Sequence, residues 1–165
     1  MARLKREKRR TPSSRAWLQR QISDPYVARA KREGLRSRAA YKLAEIDDKY
    51  RLLKPGARVV DLGAAPGGWS ELAARRVGAS GRVVALDILD MKPIAGVEFL
   101  KLDFLDEAAP QRLKAMLGGK FDAVLSDMAA NATGHRQTDH LRIVMLAEAA
   151  AHFAREILAA GGSFL

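Results

Sequence analysis

The sequence predicts an α/β domain built on a mostly parallel sheet with helices on both faces. Short apolar runs alternate with helical patterns from Arg58 onward. The first run, Val59-Val60-Asp61-Leu62, breaks into the glycine-rich turn Gly63-Ala64-Ala65-Pro66-Gly67-Gly68 ahead of Trp69-Ser70. Later runs close on Asp87, Asp103 and Asp127. In open α/β sheets, ligands sit outside the carboxyl ends of the strands.

Taken in order, residues 1–12 read as disordered and 13–36 as partly helical. Ser37 is the expected N-cap of a helix over 38–51. Its Ala40, Leu43, Ile46, Tyr50 and the following Leu53 recur at three- and four-residue steps, the pattern of a buried helical face. Lys54-Pro55-Gly56 is expected to end it. Arg58–Leu62 reads as a strand, Trp69–Val77 as a helix and Gly78–Gly81 as a turn. Arg82–Asp87 and Val97–Leu102 read as the second and third strands. Glu107–Leu117 reads as a helix with Pro110 in its first turn, and Phe121–Ser126 as the fourth strand. Thr138–Ala159 is a long alanine-rich helix, Gly161-Gly162 a turn, and Ser163-Phe164-Leu165 the start of a fifth strand. This divides the chain into a basic arm, 1–36, and an α/β domain, 37–165. The domain is expected to be incomplete at its C-terminal end, because a strand cut at three residues leaves an open edge.

At 165 residues one domain with a sizeable core is expected. The absence of cysteine excludes disulfides and thiolate metal sites, and His135, His140 and His152 lack ligand spacing, so no metal is expected. No apolar run reaches the length of a membrane span, and the basic N-terminus has no apolar stretch after it. A cytoplasmic protein without membrane attachment is expected. The net charge of +10 is unevenly placed. Residues 1–42 hold 14 Lys and Arg against 3 acidic residues; the remainder holds 15 against 16. Such asymmetry points to a polyanion, nucleic acid first. Residues 3–10 alone would suit a solvated tail. Trp17, Leu18, Ile22, Tyr26, Val27 and Leu35 instead suggest a segment that docks on the domain and presents cations to a phosphate backbone.

Gly63, Gly67 and Gly68 depart from the G-x-G-x-x-G spacing of dinucleotide sites. Asp61, just before the turn, would repel phosphate and could attract an ammonium group. That favours S-adenosylmethionine, which has an amine, a sulfonium and a ribose diol but no phosphate. A nicotinamide-linked oxidoreductase and a tight turn without ligand are the alternatives. Asp87 lies 20 positions after Gly67, where a ribose-binding carboxylate is expected. On this reading Asp87 takes the ribose diol, Asp103 the adenine amine, and Asp127 faces the reacting methyl. For each of the three the plainer alternative is a helix cap.

Several blocks together are more specific: Trp17-Leu18, Ser23-Asp24-Pro25-Tyr26-Val27, Gly34-Leu35-Arg36-Ser37-Arg38-Ala39, Tyr41-Lys42-Leu43, Lys54-Pro55-Gly56, Asp61 through Ser70, Ser126-Asp127-Met128-Ala129 and Gly161-Gly162-Ser163-Phe164. Through them the chain resembles the FtsJ/RrmJ (RlmE-type) ribosomal RNA 2′-O-ribose methyltransferases, from about Ser13 to its last residue. The resemblance implies a Rossmann-like fold that uses S-adenosylmethionine. It implies methylation of a uridine ribose 2′-hydroxyl in large-subunit (23S) rRNA, with the large ribosomal subunit as partner and a monomeric protein. It places cofactor contacts at Gly67, Trp69, Asp87, Asp103 and Asp127, and RNA contacts at Arg36, Arg38 and Lys42. Lys42 and Asp127 match the first two members of the family's catalytic Lys–Asp–Lys–Glu set. The second lysine and the glutamate would fall after Leu165, so the chain reads as truncated. The alternative function is then a noncatalytic fragment that binds RNA and S-adenosylmethionine. Two further departures are Ala130, where the family usually has proline, and Ala40-Tyr41 in place of an aromatic pair.

The chemistry suits these roles. A 2′-hydroxyl is a poor nucleophile until its proton leaves, and a nearby amine can take that proton or stabilise the alkoxide. Attack on a sulfonium methyl then depends mainly on in-line placement.

Overall fold

The computed structural model describes residues 24–106, 108–129 and 133–165. The readings on residues 1–23, which include Trp17, Leu18 and Ile22, lie outside the described residues, as do Glu107, Ala130 and Asn131. Among the described residues, no helix is long and apolar enough to cross a membrane.

Helix α1 (Pro25–Arg32) begins at Asp24, whose carboxylate accepts the Tyr26 N–H at 2.8 Å. Proline suits the first helical position because its missing N–H would have had no helical partner. Helix α2 (Ala39–Tyr50) buries Ala40, Leu43 and Asp47. Arg38 rather than Ser37 is its flanking residue, although Ser37 Oγ still accepts the Ala39 N–H at 3.2 Å. The helix stops at Arg51 (φ 54°), before Lys54-Pro55-Gly56. The buried Asp47 carboxylate holds this exit by accepting the Leu53 N–H at 2.8 Å.

The sheet contains β1 (Arg58–Leu62), β2 (Arg82–Asp87), β3 (Val97–Lys101), β4 (Phe121–Ser126) and β5 (Leu158–Phe164). All pairs are parallel, in the order β3-β2-β1-β4-β5. Helices α3 (Gly68–Val77), α4 (Ala109–Leu117) and α5 (Arg136–Ile157) complete the described elements. Alternate residues of a strand face opposite ways. Val60, Leu62, Val84, Leu86 and Val124 therefore pack with Leu113, Leu117, Phe153 and Ile157 of α4 and α5. Val59, Val83, Ala123 and Leu125 pack on the other face with Leu43, Trp69, Ala73 and Val77 of α2 and α3. The expected fold class is the observed one, with both sheet faces covered.

Several boundaries differ from the sequence reading. Helix α4 starts at Ala109, α5 lies two residues earlier at each end, and β3 stops at Lys101. The largest difference is at β5, where Gly161-Gly162 lies inside the strand instead of forming a turn before it. Leu158 already has extended geometry (φ −66°, ψ 140°), so α5 passes directly into β5. Phe121 pairs with Leu158 and Ala123 with Ser163, so two steps on β4 match five on β5. The surplus residues bulge out, and Gly161 takes φ 79° within them.

Candidate active site

The chain steps outward from β1 to β2 and β3 on one side, and to β4 and β5 on the other. The crevice at such a reversal is where open α/β sheets bind ligands. A cavity of about 620 Å³ opens there, within the range of small-molecule sites. Its wall comes from Gly63 and Ala65 after β1, Asp87 to Leu89 at the end of β2, Leu102 to Leu105 after β3, Asp127 to Ala129 after β4, and Arg142, Met145 and Leu146 of α5.

The glycine turn and the first carboxylate are built as one unit. Gly63 and Ala64 donate their N–H groups to Leu86 O at 2.9 and 3.0 Å, which ties the turn to β2. Gly63 has φ 79°, and a Cβ there would stand 2.6 Å from Met128 Cγ. Asp87 Oδ2 accepts the Ala65 N–H at 2.9 Å, and its Oδ1 accepts the Leu89 N–H at 2.8 Å. Asp103 Oδ1 accepts the Leu105 N–H at 2.9 Å. A carboxylate oxygen has two acceptor sites, so each keeps capacity for a ligand. Asp127 lies 3.5 Å from Lys42 Nζ, which also stands 5.5 Å from the Trp69 ring centroid. Trp69 Nε1 in turn donates to Ala39 O at 2.8 Å, locking its ring against α2.

Asp61 does something other than attract an ammonium group at the cavity. It is 1% exposed and accepts a hydrogen bond from Ser70 Oγ at 2.5 Å. The Ser70 backbone N–H also donates to it, so Asp61 caps α3 from the end of β1 and satisfies one of the N–H groups left unpaired at the helix start. Burial pushes its carboxyl up to about 7; the Ser70 bonds oppose this, and the charges of Asp127 and Asp87 add to it.

The other site residues divide into two groups. Asp87, Asp103 and Asp127 meet on the cavity wall, with Lys42 beside Asp127. Gly67 and Trp69 are not among the wall residues. Gly67 has φ 103° and faces Met91, Ile94 and Arg36, where a side chain would clash. Arg36 donates to Lys92 O and Pro93 O at 2.8 and 2.6 Å, pinning the segment before α2 to the loop after β2. Arg38 pairs with Asp24.

Sequence reasoning missed the apolar rim and Arg142. Ile88, Leu89, Leu105 and Met145 are about half exposed around the cavity. An apolar pair directly after a strand-ending acid was the available signal for Ile88 and Leu89. Arg142 had no local signal, because its placement depends on where α5 begins. That start is fixed by Asp139, which accepts from Thr133 N and Oγ1 and from Gly134 N.

Fold and cavity together define a Rossmann-like α/β protein with a nucleoside-sized site at its switch point. The chain belongs to the FtsJ-like methyltransferase family, whose model matches residues 35–165. It is 63% identical to the "Ribosomal RNA large subunit methyltransferase E" of Xanthobacter autotrophicus, over 99% of this chain and 65% of that protein. It is 65% identical to the protein of the same name in Bradyrhizobium sp. strain BTAi1, over 95% and 69%. The chain thus spans about two thirds of the length of these curated relatives. Among solved structures it is similar to one described as a ribosomal RNA methyltransferase from Plasmodium falciparum. The TM-score is 0.67 and the identity 30%, over 78% of this chain and 75% of that one.

Proposed function

We propose that the chain carries the cofactor site and part of the catalytic site of an S-adenosylmethionine-dependent enzyme that methylates a uridine ribose 2′-hydroxyl of 23S rRNA in the large ribosomal subunit. The observation that carries this reading is one cavity with three strand-end carboxylates and the Lys42–Asp127 pair beside it. The names of the relatives support the substrate class.

The residues fit the cofactor. Asp87 and Asp103 offer acceptors to the ribose diol and the adenine amine, and Ile88, Leu89 and Leu105 offer apolar flanks to a flat base. Asp127 would face the methyl-bearing end. S-adenosylmethionine supplies an electrophilic methyl group on a sulfonium. Gly67 and Trp69 contribute from behind the wall, Gly67 by permitting the turn and Trp69 by seating Lys42. Lys42, fixed by Asp127, holds the substrate's 2′-hydroxyl and stabilises the negative charge that develops on its oxygen as the proton passes to water. Arg36 and Arg38, with Lys42, belong to the RNA-facing side. The protein acts as a monomer in the cytoplasm on this reading.

The test pairs calorimetric titration of S-adenosylmethionine with transfer of a labelled methyl group to large subunits that lack the modification. Binding by this chain and transfer by the full-length protein, both reduced in Asp87→Ala, are expected. No binding would refute the reading. Binding without transfer would replace it by the noncatalytic alternative.

A further inference from the structure

The segment before Lys42 carries more organisation than a cationic tether needs. Residues 24–42 hold six cations, Arg29, Lys31, Arg32, Arg36, Arg38 and Lys42, against Asp24 and Glu33. Both acids are paired. Arg29 Nε donates to Glu33 Oε1 at 2.7 Å, and Arg38 pairs with Asp24. Glu33 Oε2 accepts the Tyr41 hydroxyl at 2.7 Å, and the Arg29 guanidinium lies 4.7 Å from the Tyr41 ring centroid. Tyr41 is therefore held at its hydroxyl and covered on one side. The Tyr26 ring leans on it at 5.9 Å and 55° and is itself 50% exposed. Burying tyrosine to fasten α1 on α2 would not leave the residue half exposed.

The location matters as much as the exposure. Asp24 accepts the Tyr26 N–H with one oxygen and pairs with Arg38 through the other. Arg38 and Lys42 are four residues apart, and such residues share a helix face. Tyr26 is thus linked through Asp24 and Arg38 to the face that presents Lys42 to Asp127.

We infer that Tyr26 is a base-stacking residue, on which an unpaired RNA base next to the target nucleotide lies while nearby phosphates meet Lys31, Arg32 and Arg38. This rests on the RNA reading above and specifies which RNA the surface takes. Aromatic faces bind splayed, single-stranded bases, whereas bases inside a duplex offer no free face. Phosphate contacts position either form without distinguishing them. The platform therefore selects a target nucleotide flanked by unpaired bases.

The test compares the full chain and its variants on two RNAs of equal length. One is a hairpin with a uridine-containing unpaired loop, and the other is fully paired. Tyr26→Ala should weaken hairpin binding about tenfold, within the range for loss of one base–aromatic stack, and leave duplex binding unchanged. Tyr26→Leu keeps apolar contact with Tyr41 and should lose the same affinity. Tyr26→Trp should retain it. Lys31→Ala should weaken both RNAs alike. Equal effects of Tyr26→Ala on both RNAs, or full affinity in Tyr26→Leu, would overturn the stacking role and leave the RNA reading standing. A parent chain that binds neither RNA overturns both.

Discussion

Replacing Asp61 by asparagine should change how stability depends on pH. The carboxyl is fully buried between β1 and α3, and its value in the folded protein is raised to about 7 from an ordinary 3.8. The folded state therefore keeps this proton over a range in which the unfolded chain has released it. The stability this confers is fully present below 3.8 and is lost as pH rises through about 7. A gap of about three pH units corresponds to ~4 kcal/mol at ~1.4 kcal/mol per unit. Asparagine keeps an oxygen for the Ser70 donors and carries no charge at any pH. Urea unfolding of parent and variant would be followed by circular dichroism from about pH 4 to 8. Carboxylates lowered by partners, such as Glu98 beside Arg82 and Glu156 beside Lys114, titrate in both proteins and cancel in the difference. The variant should gain on the parent by ~4 kcal/mol across that range, chiefly between about pH 4 and 7. A difference that stays flat with pH would show that Asp61 is ionised when folded and that burial is not its dominant influence.

Other perturbations test the site and the core. Gly63→Ala forces a Cβ to 2.6 Å from Met128 Cγ at a positive φ, and should cost about 1–3 kcal/mol and weaken S-adenosylmethionine binding. An unchanged melting temperature would contradict the close approach. Phe153→Ala removes a side chain 1% exposed and in edge contact with Phe104 at 5.5 Å, so urea denaturation should report a loss of about 3–5 kcal/mol. Trp69→Phe removes the indole bond to Ala39 O, which keeps its acceptor role in the α2 ladder, and should cost about 1 kcal/mol by the same measurement.

Strands β1, β2 and β4 were legible because they run through the core between both helical layers, and continuous apolar runs such as Arg82–Asp87 admit few other readings. The three wall carboxylates were legible for a related reason: in this sheet class, strand ends are where ligands bind. Failures occurred where long-range contacts decide. Asp61 looked like a ligand residue because Ser70, nine positions later, folds back beneath the turn and takes its carboxylate. The β5 bulge depends on pairing with Phe121 and Ala123, which local turn chemistry at Gly161-Gly162 does not reveal. Arg142 reaches the cavity only because a loop closes on Asp139 one turn earlier. Helix ends moved by one or two residues, as they do wherever several capping arrangements have similar energies.

Asp87 also has a spectroscopic consequence. The amide protons of Ala65 and Leu89 lie outside helices and strands, yet both are held by the same side chain. Loop amides ordinarily exchange with solvent deuterium quickly, while hydrogen-bonded ones wait for a local opening. These two should exchange slowly and at matched rates, because one swing of one carboxylate exposes both. They provide a paired internal clock for the cavity wall, readable at single-residue resolution before any substrate is in hand.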